Sequence, residues 1–136
     1  MKKFSWMLFP VALAFGSVTG CKKYDTSLFP FLTFKDSTGF TASDAAVPKG
    51  DSVWVGVSAT LHPGEKTLDS FKVFRHYDNG PDTLMYVEKI SGAGQTNYKK
   101  NFHLYTRHVT GTEEYTFRII DAYNASNERT LTLTTQ

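Results

Sequence analysis

The clearest structural pattern in this chain is the stretch Ser52-Val53-Trp54-Val55-Gly56-Val57-Ser58-Ala59-Thr60. Side chains of a β-strand point alternately to opposite faces of the sheet, so residues two apart share a face. One face of this stretch carries the apolar residues Val53, Val55, Val57 and Ala59. The other face carries Trp54, Gly56 and Ser58. The alternation predicts a strand at 52–60 with one buried face.

Short apolar runs bounded by turn residues continue on both sides of this stretch. They predict further strands at 29–35, 68–77, 83–90, 96–109, 114–123 and 129–134, with 40–50 as a loop that holds a short edge pairing. The dipeptide Asn79-Gly80 predicts a tight hairpin turn, because these residue types accept the positive φ that such turns need. No segment shows a sustained helical period. The chain is therefore predicted to be all-β, a sandwich or barrel of about seven strands.

Composition narrows the class of partner. The chain has 15 basic and 13 acidic residues, and removing Lys2 and Lys3 with the leader segment described below leaves 13 of each. This balance is unlike the basic footprint of a nucleic-acid-binding domain, so no nucleic-acid partner is predicted. With one cysteine, Cys21, the domain has no disulfide and depends on packing and backbone hydrogen bonds.

The N-terminus carries two lysines, then an apolar run to about residue 18, then Val18-Thr19-Gly20-Cys21. This order resembles the signal peptide and lipobox of a bacterial lipoprotein. The resemblance implies cleavage between Gly20 and Cys21 and a lipid on the cysteine sulfur, which anchors the chain to a membrane. A retained membrane helix is the alternative, but it needs roughly 20 apolar residues and this run is shorter. The predicted organisation is a signal peptide at 1–20, an acylated cysteine and tether at 21–28, and a domain at 29–136.

The stretch Cys21-Lys22-Lys23-Tyr24-Asp25 resembles lipoproteins of Bacteroidetes-type Gram-negative bacteria. Surface-exported lipoproteins of that group tend to carry an acidic cluster just after the cysteine, and here those positions hold lysines. The resemblance therefore implies an outer-membrane lipoprotein and favours the periplasmic face over the cell surface.

The end of the chain carries a second resemblance. The run 114–124, followed by Thr130-Leu131-Thr132-Leu133, is similar to the closing hairpin of fibronectin type III and PKD-like domains. Together with the strand count, this implies an immunoglobulin-like antiparallel β-sandwich. Tyr115 would then occupy the position of a tyrosine corner, near the start of the penultimate strand.

Motifs for catalysis and metal binding are weak. The four histidines, His62, His76, His103 and His108, lack the spacing of a zinc site. The chain has no G-x-S-x-G motif, and the adjacent acids Glu113 and Glu114 diverge on a strand. The sequence therefore predicts a protein without cofactor or metal that is not an enzyme.

Three aromatic residues are the candidate ligand-binding residues: Trp54, Tyr77 and Tyr105. Tyrosine and tryptophan suit binding surfaces because they combine apolar area with a polar tip. Trp54 is the leading candidate, since Gly56 and Ser58 on the same face leave room beside the indole. The alternative is that these rings fill the core.

Two short motifs, Asp51-Ser52-Val53 and Asp82-Thr83-Leu84, resemble the O-glycosylation sites used in Bacteroidetes. Ser52 and Thr83 are therefore candidate glycosylation sites, although both also fit plain strand starts.

Two functions remain open. The first is a lipid-anchored interaction protein of the cell envelope that docks a protein through a sheet face or edge strand, and the sequence slightly favours it. The alternative is a carbohydrate-binding accessory lipoprotein that uses exposed aromatics. Outward rings along a groove would favour glycan binding, whereas an apolar patch or a free edge strand would favour protein docking.

Overall fold

Strands make up almost all of the regular structure in the described part of the chain. The computed structural model describes residues 29–62 and 67–136, and the ordered elements in these ranges are eight strands and one turn of 3-10 helix. The predicted signal peptide, its cleavage site at Gly20 and Cys21, and the predicted tether at 21–28 lie outside the described residues.

The strands are β1 (Phe31–Phe34), β2 (Ala45–Val47), β3 (Ser52–Thr60), β4 (Leu68–Tyr77), β5 (Thr83–Lys89), β6 (Asn97–Tyr105), β7 (Gly111–Asp121) and β8 (Ser126–Thr135), with the 3-10 turn at Gly92–Gln95. Among the described residues, no helix has the length and apolar character needed to cross a membrane.

The strands form two sheets that enclose the core. One sheet has three strands in the order β1-β3-β6, and the other has five in the order β2-β8-β7-β4-β5. The predicted all-β class is confirmed, with two separate sheets rather than a closed barrel. Among the described strand pairs, the pairing of β2 with β8 is parallel, which corrects the wholly antiparallel expectation. It also shows that the edge pairing expected within 40–50 forms a strand.

The alternation in β3 is confirmed. Val55 and Ala59 are fully buried and Val57 is nearly so, whereas Trp54 on the opposite face is exposed. β3 is the central strand of its sheet, paired with β1 on one side and β6 on the other. Its apolar face therefore packs in the space between the two sheets. Its other face forms an outer surface of the protein.

The five-stranded sheet supplies the facing half of the core. Phe117 and Ile119 of β7, with Leu131 and Leu133 of β8, are fully buried, as their alternation predicts. Phe71 of β4 fills the centre, with its ring centroid near those of three partners: Phe117 at 6.4 Å, Phe102 at 5.8 Å and Tyr98 at 5.0 Å. Such offset aromatic contacts add to the free energy gained from burial.

Two local predictions need correction. The hairpin between β4 and β5 forms, but the positive φ values fall on Asp78 and Asn79, and Gly80 only closes the turn with its N–H on the Tyr77 carbonyl. β6 ends at Tyr105, earlier than the predicted strand at 96–109. The residue after β6 is held beside the start of β3, because the N–H of Thr106 donates to the carbonyl of Asp51 at 2.8 Å and Asp51 directly precedes β3.

The tyrosine-corner expectation for Tyr115 is wrong. A tyrosine corner bonds its hydroxyl to the backbone. The Tyr115 hydroxyl, which is buried, instead donates to the side-chain carboxylate of Glu113 at 2.8 Å. Burial and this carboxylate raise the pKa of Tyr115 well above its usual range.

Candidate ligand-binding face

The outer surface of the three-stranded sheet, called the front face below, is built from matched rows of side chains. The register of β3 and β6 sets Ser52 opposite Tyr105, Trp54 opposite His103, Gly56 opposite Asn101, Ser58 opposite Lys99 and Thr60 opposite Asn97. β1 adds Phe31 beside Thr60 and Thr33 beside Ser58, and Lys35 continues this edge beside Gly56. These residues together define the front face.

Aromatic rings gather at one end of the front face. The indole of Trp54 stacks on the imidazole of His103, with centroids 4.3 Å apart and planes 4° from parallel. The ring of Tyr105 follows at 4.5 Å from His103, tilted by 54°. Trp54 is 46% exposed and Tyr105 is 66% exposed. The rings therefore form a continuous apolar strip that remains open to solvent.

The imidazole of His103 is the middle ring of this strip and is fixed on one side, because its Nε2 lies 2.8 Å from the Ser52 hydroxyl oxygen. Sequence reasoning selected Trp54 and Tyr105 and missed His103 as their link. The signal that would have found it is the register of β3 and β6, and strand pairing over such a separation is not readable from periodicity.

Beside the rings, the front face carries a groove of about 470 Å³. Its walls include two lysines, an amide and two hydroxyls, from Lys35, Lys99, Asn101, Thr33 and Ser58, together with the apolar side chains of Phe34 and Val57. The room expected beside the Trp54 indole is partly filled. A Cβ at Gly56 would lie 2.8 Å from the Cβ of Lys35 and 3.1 Å from the Asn101 side-chain oxygen. Gly56 thus makes space for a lysine of this protein rather than for a ligand.

The electrostatics of the front face are one-sided. The side chains that define it include Lys35, Lys99 and His103 but no aspartate or glutamate. Neither lysine forms an ion pair with a described residue. Lys35 places its ammonium 3.8 Å from the ring centroid of Phe40, a contact that keeps its charge near the surface. The residues that line the groove therefore include two lysines and no acid.

Tyr77, the third candidate, does not join the other two. It ends β4 in the other sheet, half-buried, with the guanidinium of Arg107 4.0 Å from its ring centroid and that of Arg75 at 4.5 Å. Among the described residues, the Nε of Arg75 is a buried polar atom without a hydrogen-bond partner. The ring of Tyr77 is thus part of an internal charged cluster rather than a ligand platform.

That cluster is organised by Glu113, which is fully buried. Its Oε1 accepts from the backbone N–H of Arg107 at 2.7 Å and from the Arg107 Nε at 3.2 Å. The same guanidinium reaches Asp78 at 2.9 Å. The pKa of Asp78 is lowered, first by the backbone N–H of Thr112 and then by Arg107. Arg107 is thus paired with two carboxylates of the protein itself.

A second internal cluster joins β5 and β6, the edge strands of the two sheets. The Oε2 of Glu88 accepts from Lys100 at 2.8 Å, Tyr98 at 2.8 Å and Tyr86 at 2.6 Å. These bonds, with Lys100 the largest contribution, lower the pKa of Glu88 to about 2. The cluster links β5 to β6, and its polar groups are bonded to one another.

The edge strand β5 carries exposed apolar side chains: Leu84, Met85 and Val87. Within the described residues β5 pairs only with β4, so its other edge is free. Val73 pairs with Tyr86 and Phe74 with Leu84, which leaves Met85 as a bulge. A bulge twists an edge strand and makes simple edge-to-edge pairing harder.

The two candidate glycosylation residues lie in different settings. Ser52 begins β3, half-buried, and its hydroxyl is engaged with His103 at 2.8 Å. Thr83 begins β5 and is exposed. Glycosylation at either residue stays a prediction.

The four histidines lie in four places. His62 packs on Phe31 with ring centroids 3.7 Å apart, His76 lies 2.9 Å from Asp82, and His103 belongs to the aromatic strip. His108 lies against Gly50. Within 29–62 and 67–136, no group of three or more His, Cys, Asp or Glu side chains has the arrangement needed to hold a metal ion.

Comparison with known proteins gives a fold likeness only. No protein-family model matches the chain. No curated protein matches it at a significant level. A superoxide reductase (neelaredoxin) variant from Ignicoccus hospitalis is similar in structure, with a TM-score of 0.51 at 11% identity over 80% of this chain and 81% of that chain. A second structure of that enzyme gives 0.50 at 12% identity over 79% and 80%.

These neighbours correct one expectation. The sequence predicted that the protein is not an enzyme, and that exclusion is wrong, because solved structures similar to this one are enzymes. At 11% and 12% identity the likeness concerns the fold, and it carries no substrate or reaction to this chain.

Proposed function

We propose that this protein is a carbohydrate-binding accessory lipoprotein of the cell envelope and that the front face is its binding surface. The observation that carries the proposal is the exposed strip of Trp54, His103 and Tyr105 beside a groove whose walls hold both apolar and hydrogen-bonding groups. Of the two functions that the sequence leaves open, glycan binding is the one that outward rings along a groove support.

The chemistry of the front face suits a sugar polymer. Aromatic rings offer flat apolar area to the C–H faces of sugars. Amide and hydroxyl groups donate and accept hydrogen bonds, as sugar hydroxyls require, and the groove provides both in Asn101, Ser58 and Thr33. The rings and the groove belong to adjacent rows of one rigid sheet, so a bound chain meets both without rearrangement.

The proposal includes a lipid anchor at Cys21, because the stretch up to that residue has the order of a lipoprotein signal. Lys22 and Lys23 support the periplasmic face of the outer membrane. Protease treatment of intact cells tests the location: a periplasmic protein survives, and rapid loss of the protein would contradict the periplasmic assignment.

We also propose that the two-sheet fold is immunoglobulin-like. In that class the strands called C, F and G share one sheet, and an added C′ strand lies next to C. The order β8-β7-β4-β5 follows that arrangement if these strands are read as G, F, C and C′. The pairing of β3 with β6 then corresponds to strands B and E of the other sheet.

Affinity electrophoresis of the full chain in mild detergent tests the function. Gels that contain one polysaccharide each retard a protein that binds it. We expect retardation by at least one glycan, lost in Trp54→Ala and weakened in Tyr105→Ala. Tyr123→Ala is the matched control, since Tyr123 is 62% exposed and lies in the turn before β8. The proposal fails if no glycan retards the protein or if Tyr123→Ala has the same effect.

A protein partner is the second candidate function, and β5 is the observation that favours it. Its free edge and exposed Leu84, Met85 and Val87 fit an extended peptide segment that adds to the sheet. Crosslinking in the native envelope, compared between the wild type and Val87→Lys, tests it. A crosslinked partner that Val87→Lys removes supports docking at β5, and an unchanged pattern opposes it.

A further inference from the structure

We infer that the polymer bound by the front face is acidic, a polysaccharide whose sugars carry carboxylate or sulfate groups. This inference rests on the proposed function and adds the substrate class to it. Lys35 and Lys99 receive the anionic groups, while the strip of Trp54, His103 and Tyr105 stacks on the sugar rings. The case has three steps: the charge of the face, the spacing of its parts, and the hydrogen-bonding groups between them.

The front face carries cations without a neighbouring acid. Elsewhere, several cations are paired with carboxylates: Lys100 with Glu88, Arg107 with Glu113 and Arg118 with Glu128. Lys72, Arg75 and Arg129 of the five-stranded sheet form no ion pair with a described residue, so the distinguishing feature of the front face is its lack of acids. Lys35 and Lys99 are exposed and lack such a carboxylate among the described residues. Placing unpaired cations in one groove raises the local potential and attracts anions. An ammonium group donates hydrogen bonds to neutral sugar hydroxyls too, but its bonds to an anionic group are stronger.

The spacing of the face requires a polymer. Along β3, the Trp54 row and the Ser58 row are four residues apart, which is about 13 Å at the rise of a strand. Lys99 lies in the Ser58 row, and Lys35 lies beside Gly56 between the two rows. A single sugar does not cover this distance, so a ligand that contacts both the rings and Lys99 has several sugars. Each sugar over the groove then brings its own anionic group.

Lys35 is held in position rather than carried on a free loop. Its backbone N–H donates to the Gly56 carbonyl at 2.8 Å, and its side-chain stem crosses the space that a Cβ of Gly56 would take. The sheet therefore presents the start of this side chain in one place, and binding costs less ordering entropy than at a flexible site.

The same charge and rings would also suit an anionic lipid surface, but the groove favours a polysaccharide. Its walls carry hydrogen-bonding groups from Thr33, Ser58 and Asn101 within a recess of about 470 Å³. A recess with amide and hydroxyl groups matches a polar chain that enters it. A membrane surface is too broad to use those groups, so lipid binding serves as a contrary outcome of the experiment.

The test compares acidic and neutral forms of one polymer. The full chain is run in gels with polygalacturonate or with its methyl ester, and with dextran sulfate or dextran. We expect retardation by the acidic member of at least one pair, with at least tenfold weaker affinity in the double variant Lys35→Gln, Lys99→Gln. Raising the salt from 0.05 M to 0.5 M should weaken it further, because salt screens exposed charges. Lys72→Gln is the control, since Lys72 lies on the other sheet.

Three outcomes overturn the inference. If neutral and acidic polymers bind equally and only Trp54→Ala matters, the proposed function stands and the acidic class is wrong. If no polymer binds, both fail. If vesicles of anionic phospholipid bind the wild type through Lys35 and Lys99 while the polysaccharides do not, the front face recognises a lipid surface instead.

Discussion

The outer surfaces of the two sheets differ in how they treat charge. The outer surface of the five-stranded sheet, called the back face, pairs Arg118 with Glu128 and sets His76 between Asp82 and Glu114. The front face has lysines and a histidine without any acid. Both surfaces belong to strands that share one core. The difference teaches that an unpaired cation alone does not mark a binding surface, since Lys72 on the back face also forms no ion pair with a described residue. Cations without nearby acids, next to exposed aromatic rings, suit a ligand.

The largest expected effect is on the stability of the core that supports both faces. Glu113 and Glu114 are neighbours in β7, but Glu113 points inward, fully buried, and Glu114 points to the back face. Glu113→Ala removes the buried carboxylate that Tyr115 and Arg107 share, and Arg107 keeps only Asp78 as an ion-pair partner among the described residues. We expect it to lower the free energy of unfolding by about 3–5 kcal/mol. Urea unfolding followed by fluorescence measures this.

Glu114→Ala is the control for that variant, and we expect a change of about 0.5 kcal/mol or less. Equal effects of the two substitutions would break the distinction between internal and surface charges on which the comparison depends.

The next effect concerns Gly56, which makes room for the side chain of Lys35 on the front face. Gly56→Ala places a Cβ 2.8 Å from the Cβ of Lys35, so Lys35 must move. Overpacking costs about 1–3 kcal/mol, and the loss of glycine flexibility in the unfolded chain offsets part of it. We expect a net loss of about 1–2 kcal/mol together with weaker binding of acidic polymers. Ser58→Ala, on the same face, should leave stability nearly unchanged. Wild-type stability and binding in Gly56→Ala would show that Lys35 has no fixed place.

A smaller effect is the pH dependence of stability that comes from Glu88, at the contact between the two sheets. The pKa of Glu88 is lowered from 4.5 to about 2, chiefly by Lys100. The unfolded chain takes up this proton at higher pH than the folded one. The stabilisation is therefore present above pH 4.5 and is lost as pH falls toward 2. Because about a third of each side chain is exposed, we expect roughly 1 kcal/mol.

Unfolding free energies measured from pH 7 to pH 2.5 check this. Glu88→Gln and Lys100→Met should both lose less stability on acidification than the wild type. If all three proteins lose the same unfolding free energy over that range, protonation of Glu88 does not change the stability of the protein.

The smallest expected effect on stability is at Trp54, where we expect binding and stability to respond differently. Trp54→Ala removes one cross-strand ring pair, which is worth about 0.2–1 kcal/mol. The same substitution should abolish glycan retardation. Phe74→Ala, on the back face under Arg118, should show the reverse, a stability loss without a binding loss. A large loss of stability in Trp54→Ala would mean that the indole supports the fold rather than a ligand.

The sequence predicted much of the fold because alternation depends only on neighbours. Val55, Phe117 and Leu131 each follow a period of two and each is buried. The parallel pairing of β2 was missed because a strand of three residues carries too little pattern. The turn residues Asp78 and Asn79 were displaced by one position, since only geometry fixes which residue takes the positive φ.

The front face was predicted only in part. Trp54 and Tyr105 were selected from their residue type and from alternation. His103 and Lys35 were not, because their roles depend on which strand lies beside β3. Tyr77 was selected too but lies apart from them, and its residue type does not reveal that two arginines lie over its ring.

One consequence of the first two strands is mechanical. β1 joins the three-stranded sheet and β2 joins the five-stranded sheet, so residues 31–47 cross from one layer to the other. A pull along β1 from the side of Phe29 loads its hydrogen bonds with β3 together, as a shear, rather than opening them one by one. The next segment to yield is β2, held in parallel beside β8. Tension from the proposed anchor would therefore reach β1 first, and detaching β1 would remove Thr33 and Lys35 from the front face.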